Sequence, residues 1–253
     1  MKYLVAIAGL AVVAVVGFFF FDENKGSTEL RVYNWSDYIA EDTIANFEKE
    51  TGITVTYDVY DSNEILEAKM MAGSSGYDLV VPTGDFLARG REAGVYADID
   101  ISRLSNIGNQ DKKVQALAVN QMQDKNAGLV YMWGTTGVAY NEKMVSERLG
   151  DAAPTDSWDL ILDPTNAAKL ADCGIAILDA PTDVLPNVIA YRGGAGDTTD
   201  ANLFEKAGEV LNAVRPYLRY IHSSQSINDI ANGDLCAAIM WSGDAFQAAY
   251  RAE

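Results

Sequence analysis

Residues 53–82 read ITVTYDVYDSNEILEAKMMAGSSGYDLVVP. Ile53, Val55, Tyr57 and Val59 alternate with polar residues. That spacing predicts a strand with one buried face, because successive strand side chains point to opposite sides. Asp61-Ser62-Asn63-Glu64 predicts a capping box opening a helix that carries Ile65, Leu66, Met70 and Met71 and ends at Gly73. Tyr77-Asp78-Leu79-Val80-Val81 predicts a short buried strand stopped by Pro82. On the amino-terminal side, Leu30 to Asn34 predicts a strand. Ile39 to Thr51 predicts a helix, with Ile44 and Phe47 one turn apart and Gly52 as its stop. The order is βαβαβ, an alternation that implies a parallel sheet covered by helices.

The rest of the chain repeats the pattern. Leu129 to Trp133 predicts a strand, broken by Gly134-Thr135-Thr136-Gly137 and resumed at Val138 to Tyr140, with Asn141 opening a helix. A lobe boundary is expected at this break, giving a first lobe over 30–133 and a second over 134–253, with 22–29 as a linker. In the second lobe helices are expected at 166–171, 201–214 and 225–232. Strands are expected at 174–178, 219–222 and 235–241, with a loop over Asp179 to Asp183.

Residues Met1 to Phe21 stand apart, with Lys2 as their only charge and a continuous apolar run from Tyr3 to Phe21. A run of this length reads as a long signal peptide or an uncleaved membrane anchor, and either one exports the remainder of the chain. The 253-residue chain carries a formal net charge of -17, which argues against nucleic acid and anionic membrane as partners. The same charge suits a cationic ligand and also plain solubility. Its two cysteines, Cys173 and Cys236, fit either a disulfide or two buried thiols.

Open α/β sheets bind ligands outside the carboxyl ends of their strands. Tyr33-Asn34-Trp35-Ser36-Asp37-Tyr38 stands at such an end, as does Thr83-Gly84-Asp85, and Trp241-Ser242-Gly243-Asp244 comes directly after the last strand. Ring plus carboxylate is the chemistry of an organic-cation site. A cation over a Trp or Tyr face gains about 0.5–2 kcal/mol, and a carboxylate adds a charge-assisted hydrogen bond. Asp37 has a second use as a helix N-cap. Asp85 likewise reads as a cleft carboxylate or as an outward cap of a helix starting near Phe86.

Enzyme chemistry finds little support. His222 is the single histidine, and no metal-ligand spacing is present. The glycine-rich run Arg192 to Asp197 lacks the lysine and spacing of a P-loop. No cofactor is called for. The cross-class alternative is a carbohydrate-binding or glycoside-processing protein using Asp37 and Asp244 as its carboxylate pair. A binding protein for another cation, such as a quaternary amine, is a third reading.

The stretches YNWSDYI, ANFEKETGI, YDLVVPT, YMWGTTGVAYN, DSWDLIL, LDAP, RYIHSSQSINDIANGDLCAAI and WSGD, spanning Tyr33 to Asp244, resemble the polyamine-binding proteins of bacterial ABC importers, the putrescine-binding branch above all. The resemblance implies a two-lobed periplasmic binding protein (type II) fold, α/β in class, with a polyamine in the cleft and a membrane permease as partner. The protein is expected to be a periplasmic monomer and not an enzyme. Trp35, Ser36, Asp37, Tyr38, Thr83 and Asp85 are implied to line the cleft from the first lobe. Asp183, Ser223, Trp241 and Asp244 are implied to line it from the second, with Arg251 as a hinge or cleft residue. The resemblance also implies a Cys173–Cys236 disulfide. Three positions depart from the branch: Thr83 replaces a usual Ser, Asp85 a small neutral residue, and Asp183 a Glu. Family members also continue for roughly another hundred residues beyond Glu253, so a carboxyl-terminally incomplete fold is expected.

Overall fold

The computed structural model describes residues 28–253. The signal-peptide or anchor reading of 1–21 therefore lies outside the described residues. The described residues form two compact units: residues 28–58 with Gly76–Val80, and Val59–Ser75 with Val81–Glu253. No described helix is long and apolar enough to cross a membrane.

The first unit is built on strands β1 (Glu29–Trp35), β2 (Thr54–Tyr60) and β3 (Leu79–Val80), in the order β2-β1-β3. β1 and β3 run parallel, with Val32 opposite Leu79 and Tyr33 opposite Val80. Tyr33 stacks on Tyr77 with ring centroids 4.5 Å apart. The helix α1 (Thr43–Thr51) begins four residues later than its sequence predicts, and ends at Gly52 in the left-handed conformation a glycine adopts without strain. In β2 the alternation slips at its end. Val59 is exposed and Tyr60 is buried instead, where its hydroxyl donates to the Val81 carbonyl.

The second unit opens with α2 (Asn63–Met71), α3 (Gly84–Glu92) and α4 (Lys112–Met122). The capping box does not form as predicted. Ser62 is the cap, its Oγ accepting from the Ile65 N–H at 3.3 Å. Leu129 to Trp133 is not a strand. The run lies outside both sheets, and Tyr131, Met132 and Trp133 are exposed. The ladder instead starts at Thr136.

The main core surrounds a four-stranded sheet of β4 (Thr136–Tyr140), β5 (Ile175–Ile177), β6 (Tyr220–Ile221) and β7 (Ala237–Trp241), ordered β4-β7-β5-β6. β7, β5 and β6 run parallel while β4 is antiparallel to β7, so the sheet is mixed rather than wholly parallel. Its two central strands are buried except at Trp241, with Ile175, Ala176, Ala237 and Ala238 at 0% exposure, as expected of strands covered on both faces. The helices are α5 (Glu142–Leu149), α6 (Asp159–Leu162), α7 (Pro164–Leu170), α8 (Pro181–Tyr191), α9 (Ala201–Val214), α10 (Gln225–Asn232) and α11 (Ser242–Ala252). Asn141 caps α5, Asp163 caps α7 and Asp200 caps α9 through side-chain oxygens.

Cys173 and Cys236 are bonded, with Cα atoms 5.5 Å apart. They precede the neighbouring strands β5 and β7, and the Cys236 N–H donates to the Gly174 carbonyl. The bond closes a sequence separation of 63 residues, worth about 3–5 kcal/mol in the chain-entropy account.

Candidate functional site

In the first unit, Trp35 ends β1 and is buried, and its ring meets Tyr38 at 6.1 Å with a 31° tilt. The turn is braced from behind. The Trp35 N–H donates to Asn34 Oδ1 at 2.8 Å, and Asn34 Nδ2 donates to the Tyr57 hydroxyl at 2.9 Å. Ser36 and Asp37 form the turn itself, with Asp37 at φ 62°, a left-handed conformation Asp tolerates better than most residues. Asp37 does not cap α1. That helix starts at Thr43 and Asp42 flanks it, because the turn and an intervening loop separate Asp37 from the first helical residue. The structure thus puts Trp35, Ser36, Asp37 and Tyr38 in one short turn.

In the second unit the carboxyl ends of the parallel strands β5, β6 and β7 lie along one edge. Asp183 is in the first turn of α8, the helix after β5, and not in a loop as its sequence predicts. Ser223 comes just after β6 and is buried, its Oγ without a hydrogen-bond partner among the described residues. Trp241 ends β7, and Asp244 is buried in the first turn of α11. A carboxylate in the first turn of a helix is favoured by the helix dipole. Arg251 is in the last turn of α11, about 10 Å along the axis from Asp244. There its guanidinium donates to Asn228 Oδ1 at 2.7 Å and Gln247 Oε1 at 3.0 Å, tying α11 to α10.

The electrostatics converge on Asp183. Burial pushes its carboxyl up to about 6, a bond to the Trp241 side chain favours its charged form, and the nearby charges of Asp85 and Glu64 raise it further. A buried carboxyl facing two other carboxylates is expected to hold its proton more tightly. Asp85 is therefore within electrostatic reach of Asp183. It is not the cap of α3, a position held by Thr83, whose Oγ1 donates to Asp85 Oδ1 at 2.7 Å.

Glu64 is the residue the sequence reading missed. It is not engaged in a capping box. Its Oε1 accepts from Thr182 Oγ1 at 3.2 Å, one residue before Asp183. Close by, Ser224 Oγ donates to Asp61 Oδ1 at 2.5 Å. The signal was available, because Glu64 opens the helix after β2 and so also stands at the carboxyl end of a strand. Among the described residues, no group of His, Cys, Asp and Glu is arranged to hold a metal ion.

Two α/β sheets with rings and carboxylates gathered at strand carboxyl ends define a periplasmic-type solute-binding protein. Residues 42–252 match the family of bacterial extracellular solute-binding proteins, and the chain belongs to that family. It is 52% identical over 225 residues to the putrescine-binding periplasmic protein PotF of Escherichia coli (strain K12), covering 88% of this chain and 61% of that one. It is 51% identical over 225 residues to the putrescine-binding periplasmic protein SpuD of Pseudomonas aeruginosa (strain UCBPP-PA14), with the same coverage. The chain thus spans about 61% of the length of these curated relatives. It is similar in fold to a spermidine/putrescine ABC transporter from Listeria monocytogenes, with a TM-score of 0.78 and 27% identity, covering 89% of this chain and 66% of that one. The Tp0655 lipoprotein of Treponema pallidum matches with a TM-score of 0.71 and 26% identity, covering 86% and 65%.

Proposed function

We propose that this protein is the solute-binding subunit of a polyamine importer. It captures a polyamine, putrescine first, and presents it to a membrane permease from the periplasmic side. The observation that carries the reading is the carboxylate set around Trp241: Asp183 bonded to the Trp241 side chain, with Asp85 and Glu64 in electrostatic reach. An ammonium group satisfies that set, donating several N–H bonds and neutralising crowded negative charge. A sugar hydroxyl offers no such charge, which sets the carbohydrate reading behind. The relatives' names point the same way.

Trp35 and Tyr38 supply rings, and Asp37 a carboxylate, for the other end of a diamine. Two lobes close on the ligand by a hinge, and the permease recognises the closed form. Ser36, Thr83 and Ser223 contribute hydroxyls. Ammonium groups are costly to dehydrate, so each must regain its hydrogen bonds inside. No step here makes or breaks a covalent bond, so the role is binding and not catalysis.

Calorimetry with putrescine, spermidine and a panel of oligosaccharides tests the reading. Heat with amines and none with sugars is expected, and the reverse sinks it. Asp37→Asn and Asp244→Asn keep shape and remove charge, and each is expected to cost about 2–5 kcal/mol of putrescine affinity. Less than a tenfold loss in both removes them from the site.

A further inference from the structure

Glu64 has one oxygen in use and one open. Oε1 accepts from Thr182, while Oε2 is buried and has no hydrogen-bond partner among the described residues. A buried carboxylate oxygen left without a donor is costly, because it gives up water and gains nothing. The neighbours make the position worse, since the Glu64 charge acts directly on the Asp183 carboxyl. A strut between α2 and α8 needs only Oε1, and a hydroxyl or an amide would serve it without charge. What the open oxygen lacks is a positively charged donor with more than one N–H to give.

We propose that Glu64 is a further ligand-binding residue, whose buried Oε2 shares one ammonium group of the polyamine with the Asp183 carboxylate. This rests on the polyamine reading above. The backbone prepares the placement. Ser62 caps α2 and fixes its first turn, so Glu64 leaves the helix toward Thr182. The Thr182 bond then holds the carboxylate by one oxygen and leaves the other open, with the Glu64 charge within electrostatic reach of Asp183. The same bond couples occupancy of the site to the contact between α2 and α8, with the Ser224–Asp61 bond as its neighbour.

The test uses the 253-residue chain with putrescine as the probe. Glu64→Gln retains a carbonyl oxygen for Thr182 and removes the charge. It is expected to weaken putrescine at least tenfold, with the melting temperature of the unliganded chain unchanged or raised. Thr182→Val removes the strut and keeps the charge, and is expected to weaken putrescine by less than about threefold. A third readout separates ligation from structure. Titration near pH 6 in buffers of different ionisation enthalpy counts protons released on binding. The groups facing Asp183 are Glu64 and Asp85, so Glu64→Gln is expected to release fewer protons than the unsubstituted chain. A loss below tenfold in Glu64→Gln, or an equal loss in Thr182→Val, overturns the proposal and leaves Glu64 a strut. Absence of amine binding by the unsubstituted chain overturns the polyamine reading itself, and this inference with it.

Discussion

Asp183 carries a conflict between stability and binding. Its folded carboxyl titrates at about 6 against an ordinary 3.8. A raised acid pKa means the folded state holds the proton more tightly than the unfolded one. Stability is therefore lost as pH rises from about 4 through 6, when the buried group must ionise. Ligand capture needs the ionised form, so affinity runs the other way and falls as pH drops below about 6. Asp183→Asn is expected to stabilise the unliganded chain by about 1–2 kcal/mol at pH 8, discounted for partial exposure, while weakening putrescine at least tenfold. Thermal melts and calorimetry on the same preparation check both signs, and destabilisation at pH 8 contradicts the account. Asp85 belongs to the same scale. A third carboxylate is costly without a partner, and the middle or third amine of spermidine supplies one. Asp85→Ser is expected to weaken spermidine by about 1.4 kcal/mol, tenfold, relative to putrescine. An unchanged ratio in parallel titrations removes Asp85 from ligand selection.

At the scale of elements, the start of α2 decides how the site is aimed. The sequence Asp61-Ser62-Asn63-Glu64 offers two caps one residue apart, and the chain takes Ser62. The choice has a physical cause. Asp61 accepts from Ser224, and Glu64 accepts from Thr182, so both box residues are drawn into tertiary bonds. Ser62→Ala is expected to cost about 1 kcal/mol of stability, the usual worth of a cap, measured by urea unfolding. Asp61→Ala leaves the cap intact and is expected to reduce stability through the Ser224 contact alone. If Asp61→Ala lowers helix content near α2 more than Ser62→Ala does, the cap assignment is wrong. α8 teaches a related point. Asp179 to Asp183 reads as a loop, yet Pro181 opens a helix that runs through Pro186, which removes one helix bond. The helix forms because Val184, Val188 and Ile189 bury against the main core, and that burial outweighs one missing bond.

For the whole molecule, the Cys173–Cys236 bond ties the starts of β5 and β7, which lead to Asp183 and Trp241 respectively. Reduction, or Cys173→Ala with Cys236→Ala, is expected to lower stability by about 3–5 kcal/mol in the chain-entropy account, by denaturant titration. Non-reducing mass spectrometry is expected to show both thiols consumed. Two free thiols in the exported protein contradict the bond.

The sequence by itself determined the alternation of strands and helices, and with it the α/β class. The reason is local: β2 and α1 announce themselves through periodicity and, for α1, through the stop at Gly52. It also determined the turn of Trp35 to Tyr38 and the strand exit at Trp241, because ring and carboxylate stand within a few residues there. Tertiary structure alone decided the rest. It set the antiparallel place of β4 against β7 and left Leu129 to Trp133 outside the sheets, since pairing depends on which edge a strand meets. It made Asp183 helical, through burial that outweighs the interior Pro186. It turned Glu64 from a helix cap into a carboxylate bonded to Thr182 and within electrostatic reach of Asp183, because that partner lies 118 residues away in sequence, a distance no local pattern spans.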